Sequence, residues 1–495
     1  MAPRDMNAGA LGRVVDALRA ADELAAVHGP LPADITAITD DSRRVVDGGL
    51  FLAVRGAVAD GHDYVDAALA RGASVVVVES TGALRGAAVV VRDSRRAAAI
   101  AAAAAYDQPA AALRLVAVTG TNGKTTTVGL LRHLLHEADA PAASIGTLGV
   151  LLGSPGSPLP GGGGLTTPGP VELQRILRAL VDAGVRTVAM ETSSHALDQQ
   201  RVESLRFAAA LFTNFTRDHL DYHGTLEAYF AAKAHLVSLI APHGTAVINA
   251  DDAAWQALPA GPQRLLVGTV AAAELRAVDV EVADAGTQFT LEAPHGRVRV
   301  RLPLLGAFNV DNAIGAAGVA VALGLPLERI AARLATAPQV PGRLERLATR
   351  PLVLRDYAHT PDALARALDA VRPVVPGGRL IVVFGCGGDR DPGKRPLMGR
   401  VAADRADIVI VTSDNPRTED PERILDDIVA GMPAGRAERI EDRRAAIARA
   451  LETADPERDL VLLAGKGHET YQIRGTSTYP FDEAEIVASL LAPSL

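Results

Sequence analysis

The chain has 495 residues and a formal net charge of −8 at pH 7, the wrong sign for a general nucleic-acid binder, whose surface carries a basic footprint. Its single cysteine, Cys386, excludes an internal disulfide and a cysteine-rich metal site and fits a cytoplasmic protein. With 48% hydrophobic but only 3% aromatic residues, its cores must be built from Ala, Val, Leu and Ile.

The length predicts about three domains. The first residues hold no apolar stretch of signal-peptide type, and no apolar run reaches the roughly 18 residues of a membrane span. Residues 1–12 read as a loose tail, and Leu11–Leu24 has helical apolar spacing. D-D-S-R-R (Asp40–Arg44) comes next, then a helix through Ala68, strands at Ala73–Val78 and Ala87–Val91, and the alanine-rich helix Ser94–Tyr106. Asp107-Gln108-Pro109 reads as the exit from this small α/β unit.

An apolar strand, Leu113–Val118, then runs into Gly120-Thr121-Asn122-Gly123-Lys124-Thr125-Thr126 and a helix with apolar spacing through Leu135. Strand, glycine turn and helix N-terminus make a phosphate cradle. Lys124 suits terminal phosphates and the Thr125 hydroxyl suits magnesium. The spacing departs from the common P-loop, which has a glycine where this chain has Val118. Gly153–Gly164 reads as a surface loop. A helix is predicted at Val171–Ala183, and strands at Val185–Met190, Ala208–Phe212 and Thr245–Asn249, with the helix Thr225–Ile240 carrying Lys233. Polar clusters follow the strand ends: Glu191-Thr192-Ser193-Ser194-His195, then Thr213 to His219. Ligands bind there in open parallel sheets.

Val278–Leu302 alternates as edge strands do. Helices follow at Gly306–Ala322 and Leu327–Ala335, and Val340–Arg343 reads as a hinge. Beyond Leu344, strands at Leu352–Arg355, Arg379–Phe384, Ile408–Thr412 and Leu460–Leu463 alternate with helices at Pro361–Ala370, Gly399–Ala403, Pro421–Val429 and Arg443–Thr453. That alternation is doubly wound α/β.

G-T-N-G-K-T-T, M-E-T-S-S-H, N-F-T-R-D-H-L-D-Y-H, Y-F-A-A-K, F-N-V-D-N-A, P-G-R-L-E, D-Y-A-H-T-P and D-N-P-R occur in this order from about Asp41 to Glu469. Together they resemble the Mur ligases, ATP-dependent amide ligases that build the peptidoglycan stem peptide. The resemblance implies three domains: a small N-terminal α/β UDP-substrate domain (1–108), a central P-loop parallel-sheet ATPase domain (109–340) and a C-terminal Rossmann-like amino-acid domain (341–495). It implies an acyl phosphate made with ATP, attacked by the incoming amine, in a cytoplasmic monomer.

The site residues follow from the same motifs. Gly120 to Thr126 would bind ATP, with Asn309, Arg343, Asp356 and His359 as outer contacts and Arg343 reaching phosphate when domains close. Thr125 and Glu191 would hold one Mg2+, and His219 with Lys233 a second. Lys233 aligns with the family's carbamylated lysine, although by composition alone it is a solvated lysine on an amphipathic helix. Ser42, Thr166, Thr167, Ser193, Gln199 and Arg201 would bind UDP-MurNAc-L-Ala-D-Glu, though Thr166-Thr167-Pro168 also reads as a helix N-cap. In the uridine loop, Ala57-Val58-Ala59 stands where the family sometimes has polar residues.

The third substrate is addressed by Asp414-Asn415-Pro416-Arg417, with Arg390, Gly465 and Glu469. Arg417 can grip the extra carboxylate of meso-diaminopimelate through paired bonds, and Asp414, Asn415 and Glu469 can address the neighbouring ammonium. A lysine-adding member of the family is the alternative. A folylpolyglutamate-type ligase and a regulatory P-loop ATPase are more distant readings.

Overall fold

The computed structural model describes residues 7–82, 84, 86–162, 164–283 and 286–492. Residues 1–6 of the expected tail and Gly163 of the expected loop lie outside them. The chain divides into two compact units: Met1–Ala277 with Leu291–Val298 and Asp311–Arg333, and Val278–Thr290 with Arg299–Val310 and Leu334–Leu495.

The first unit opens with a five-stranded sheet in the order Leu24–His28, Ala88–Val91, Ala73–Val78, Gly49–Leu52, Ile38–Thr39. Helices Ala10–Ala20 and Ser94–Ala105 bury their alanine, valine and leucine faces against it. Asp93 caps the second helix by accepting from the N–H groups of Arg95 and Arg96. The helix expected over Leu11–Leu24 stops at Ala20, because Asp22 turns the chain with φ 58° and Leu24–His28 pairs antiparallel with Ala88–Val91. The helix also starts at Ala10, inside the expected tail.

The larger sheet of this unit is parallel through Gln263–Gly268, Ile240–Asn249, Phe207–Phe212, Arg114–Thr119, Thr187–Glu191 and Ala142–Gly146. The P-loop strand Arg114–Thr119 lies inside it. In register, Glu191 faces Val118 on one side and Phe212 faces Thr119 on the other. Three polar strand ends are thereby brought to one edge, and this alignment makes the site. The helix Pro170–Asp182 packs Leu173, Ile176, Leu177 and Leu180 into the sheet's core.

Two expectations change here. The Gly153–Gly164 segment is not all loop: Ser157–Leu159 pairs with Gly149–Leu152, and buried Arg132 donates to the Gly153 carbonyl (2.5 Å). The helix expected through Ile240 is α-helical only over Leu226–Ala234. It tightens into a 3-10 turn at His235–Leu239, and Ile240 is drawn into the sheet opposite Phe207.

The second unit holds a six-stranded sheet in the order Glu345–Thr349, Leu352–Asp356, Leu460–Ala464, Leu380–Phe384, Ile408–Val411, Ala437–Arg439. The four inner strands are those expected. The two edge strands, the hairpin Tyr471–Arg474/Ser477–Pro480 and the helix Glu483–Leu491 are additions. The helix expected at Gly399–Ala403 runs over Lys394–Arg405, with Pro396 in the first turn, where its missing N–H costs nothing.

Arg443 and Glu483 form a fully buried ion pair at 2.8 Å (both side chains 0% exposed). The guanidinium also donates to the carbonyls of Ala464 (3.0 Å) and Ser413 (3.4 Å). Glu483→Ala strands a buried cation, so a loss of about 3–5 kcal/mol in unfolding free energy is expected. Chemical denaturation checks it, and an unchanged midpoint contradicts the ion pair's role. Burial pushes the Cys386 thiol up to about 12, and its Sγ lies 3.6 Å from Met398 Sδ. At neutral pH it is protonated and shielded, so a thiol reagent should label it only after denaturant is added.

Candidate active site

The phosphate cradle is built as its residues require. Gly120 has φ 145°, and a Cβ there would lie 1.9 Å from Thr213 Oγ1. Gly123 has φ 87°, and its Cβ would meet Asn312 Oδ1 at 2.3 Å. Only glycine fits either place. The segment after the neighbouring strand braces the loop: Asn214 accepts from the Asn122 N–H (2.9 Å) and, through its carbonyl, from the Thr121 N–H (2.7 Å). Thr213 Oγ1 donates to the Asn122 carbonyl (2.7 Å). Thr125 and Thr126 are buried in the first turn of the helix Lys124–Leu134.

Two lysines converge on this turn. Lys124 Nζ donates to the carbonyls of Gly120 (2.9 Å) and Thr121 (2.8 Å). Lys233 Nζ donates to the same Gly120 carbonyl (2.8 Å). Lys233 is 1% exposed, so the surface-lysine reading of its helix does not hold. Burial, and then the charge of Lys124, push its pKa well below the ordinary lysine value. Its ammonium position lies 4.5 Å from the centre of the Tyr229 ring.

Glu191, 2% exposed, accepts from the Thr147 N–H (2.8 Å) and hydroxyl (3.1 Å). Gly146 leaves room for it, since a Cβ there would lie 2.3 Å from Glu191 Oε1. Thr166 Oγ1 lies 3.3 Å from Thr147 Oγ1. Thr167 donates to the Glu191 carbonyl (2.9 Å), and its Oγ1 accepts from the Ser193 N–H (3.0 Å). The N-cap of the following helix is Gly169, with no side-chain cap, so these threonines are spent on the site and not on capping. Arg201 donates to the Thr167 carbonyl (2.9 Å) and to Gln199 Oε1 (2.6 and 3.1 Å). Thr166, Thr167, Ser193, Gln199 and Arg201 are thus one connected group around Glu191. Ser42 opens the 3-10 turn Ser42–Arg44, capped by Asp41. Asp40 beside it is raised by burial and feels the charge of Arg201. Val58, at the tip of the loop with Ala57 and Ala59, is fully exposed.

His219 has φ 52° and sits at the head of the short helix Leu220–His223. Its imidazole stacks edge-on against His195 (centroids 4.8 Å) and lies 6.0 Å from Tyr229. Burial lowers the pKa of both histidines, that of His195 to about 4, with His219 and His223 adding to it. The rings of His219, Tyr222 and His223 cluster around His195; the available signal was the close repetition in D-H-L-D-Y-H.

No group of three or more His, Cys, Asp or Glu among the described residues is arranged to hold a metal by itself. The donors present are hard oxygens, the Thr125 hydroxyl and the Glu191 carboxylate. They fit magnesium, which takes one or two protein oxygens and fills its shell with phosphate and water.

In the second unit, Asn309 is buried and donates to the Leu305 carbonyl (2.7 Å). Asp356 is buried, which raises its pKa, and it accepts from the N–H groups of Leu344 (2.8 Å) and Ala358 (2.9 Å). The Arg343 guanidinium lies 5.2 Å from the centre of the Tyr357 ring. His359 Nδ1 is 2.8 Å from the Tyr357 carbonyl. Arg343, Asp356 and His359 therefore form one group.

The D-N-P-R loop forms another. Asn415 donates to Glu469 Oε2 (2.8 Å). Its own Oδ1 accepts from Lys466 Nζ (3.1 Å) and the Ile473 N–H (3.0 Å). A Cβ on Gly465 would lie 2.6 Å from Asp414 Oδ2, and one on Gly388 would lie 1.9 Å from the Pro416 carbonyl. Arg417 is held at φ 51° by the hairpin: its N–H donates to the Ile473 carbonyl (3.1 Å), and its carbonyl accepts from Gly475 (2.6 Å). Its guanidinium donates to the Gly388 carbonyl (2.7 Å). Arg390 is exposed at the rim, on the same glycine-rich loop. The hairpin and Lys466 were missed. A lysine between two glycines just past a buried strand was the available signal.

Comparison with known proteins gives the family. Residues 34–117 match the Mur ligase family catalytic domain, 118–320 the Mur ligase middle domain and 342–467 the Mur ligase glutamate ligase domain. The UDP-N-acetylmuramoyl-L-alanyl-D-glutamate–2,6-diaminopimelate ligase of Synechococcus elongatus is 47% identical over 94% of this chain and 95% of its own length. The enzyme of that name from Gloeobacter violaceus is also 47% identical, over 91% of this chain and 93% of its own. A solved structure of a ligase with that name superposes with a TM-score of 0.66 at 37% identity, over 92% of this chain and 94% of that one. The chain therefore belongs to the Mur ligase family of ATP-dependent amide ligases.

Proposed function

We propose that this ligase joins meso-2,6-diaminopimelate to UDP-MurNAc-L-Ala-D-Glu, forming the UDP-MurNAc-tripeptide of peptidoglycan with ADP and phosphate. The observation that carries the choice of amino acid is the D-N-P-R loop. Arg417 is fixed there in an unusual backbone conformation beside the Asn415–Glu469 pair. A guanidinium next to a carboxylate suits a zwitterion, and the far end of diaminopimelate is one. The relatives reported above carry that amino acid in their names, and no observation favours the lysine-adding alternative.

The work divides over three domains, 1–108, 109–340 and 341–495. Ser42, Thr166, Thr167, Ser193, Gln199 and Arg201 hold the UDP-sugar peptide. The turn Gly120–Thr126 cradles ATP, Lys124 meets its terminal phosphate, and Asn309, Arg343, Asp356 and His359 complete the nucleotide's surroundings. A substrate carboxylate oxygen attacks the γ-phosphorus and ADP leaves. The amine of diaminopimelate, oriented by Arg390, Asp414, Asn415, Pro416, Arg417, Gly465 and Glu469, then attacks the acyl carbon. Phosphate leaves and the amine gives up a proton.

Thr125 and Glu191 would hold one Mg2+, and His219 with Lys233 a second; magnesium bound there would neutralise the charge that builds up on the transferring phosphoryl group. For Lys233 this requires a carbamate. Burial and the charge of Lys124 disfavour the charged form of this amine; in its neutral form it adds to carbon dioxide and sheds a proton, leaving a carbamate anion beside Lys124. Among the described residues no helix is long and apolar enough to cross a membrane. The proposed enzyme acts as a monomer in the cytoplasm, on nucleotide-linked substrates.

Phosphate release should require both UDP-MurNAc-L-Ala-D-Glu and diaminopimelate. Release that ignores them would sink the ligase reading, and equal turnover with lysine would sink the specificity. Arg417→Ala should raise KM for diaminopimelate by an amount equivalent to about 2–5 kcal/mol while KM for ATP stays put. Lys233→Ala should lose nearly all activity and regain part of it with short carboxylic acids; indifference to those acids would remove the case for a carbamate.

A further inference from the structure

Lys466 follows directly on the buried strand Leu460–Ala464 and Gly465, and its side chain is 0% exposed. Its ammonium lies 3.1 Å from Asn415 Oδ1, 3.5 Å from Glu469 Oε2 and 3.7 Å from Asp414 Oδ1. The rings of Tyr471 and Phe481 lie 5.9 and 6.0 Å away. Glycines on both sides make the placement possible: a Cβ on Gly465 would strike Asp414, and one on Gly467 would strike Tyr357 at 2.6 Å.

We infer that Lys466 is a positioning residue that sets the charge of the amino-acid pocket and so favours a ligand whose far end is zwitterionic over one whose far end is only cationic. The inference rests on the amino-acid site proposed above. Two consequences of the geometry support it. First, Asn415 Oδ1 is claimed by Lys466 and by the Ile473 N–H, so its amide nitrogen is turned to Glu469. The amide therefore has one orientation, and Glu469 is held by it. Second, Asp414 and Glu469 place two negative charges beside the loop, and Lys466 together with Arg417 supplies two positive ones. The far end of the pocket is thus balanced, which matches a zwitterion. Without the charge of Lys466 a net negative charge remains, which would attract the cationic end of lysine more strongly and repel the second carboxylate of diaminopimelate. Being sealed from solvent, Lys466 acts through these partners and not by touching the ligand.

The test uses the full chain with Lys466→Met and, as a second neutral variant, Lys466→Gln. For each, kcat/KM is measured with meso-diaminopimelate and with L-lysine, alongside KM for ATP and for UDP-MurNAc-L-Ala-D-Glu. The diaminopimelate-to-lysine ratio should fall about tenfold or more, since a change of one nearby charge readily shifts relative affinity by that much. KM for the other two substrates should stay within about twofold, because the partners of Lys466, Asn415, Glu469 and Asp414, are not among the residues proposed to bind them. Lys466→Arg, which keeps the charge, should hold the ratio nearer the parent value. A ratio unchanged in whichever neutral variant folds overturns the inference, even if overall activity falls. A parent enzyme that does not use diaminopimelate at all would instead overturn the proposed function.

Discussion

The constraint on which the site depends is a single backbone carbonyl. Gly120 ends the P-loop strand, and its oxygen accepts from the ammonium groups of both Lys124 and Lys233. Two amines thus share one backbone acceptor, and burial with the charge of Lys124 disfavours the charged form of Lys233. Incoming anions would ease that crowding. A polyphosphate supplies them, and so would a modification that reverses the charge of one lysine. The glycines, the Asn214 brace and the Thr147 bonds to Glu191 all hold this charge arrangement still.

The second unit solves a complementary problem. Its sheet carries the D-N-P-R loop, whose proposed task is to present a guanidinium and a carboxylate to the amino acid. The loop has little regular structure of its own, so it borrows rigidity. The hairpin pins Arg417 through two backbone bonds, Gln472 reaches the Asp414 carbonyl (2.8 Å), and Arg443 ties the Ser413 and Ala464 carbonyls together from beneath. Rigidity of this kind is what lets a pocket discriminate by charge and not merely by size.

Much of this was legible in the residues. The inner strands announced themselves because strands buried on both faces are continuous Val, Ile, Leu and Ala runs, as in Leu380–Phe384. Short edge strands such as Ala437–Arg439 carry mixed side chains and become strands only through a neighbour. The helix expected to reach Leu24 ends at Ala20 because the chain reversal at Asp22 and the waiting edge of Ala88–Val91 outweigh local preference. The phosphate cradle and Glu191 could be placed because they lie in a strand–turn–helix frame. Lys466 could not, since burial of a lysine is decided by residues distant in sequence, here Asp414 and Asn415.

The buried pairing of Arg443 with Glu483 also bears on how the protein comes to exist. The loop ends that Arg443 gathers belong to strands completed by Ala464, yet its counter-charge lies on the helix Glu483–Leu491. On the ribosome, the proposed amino-acid site must wait until that helix has emerged, while the phosphate cradle, which closes on Asn312, can form earlier. A nascent chain halted in between would hold a nucleotide pocket with no means of choosing what to attach.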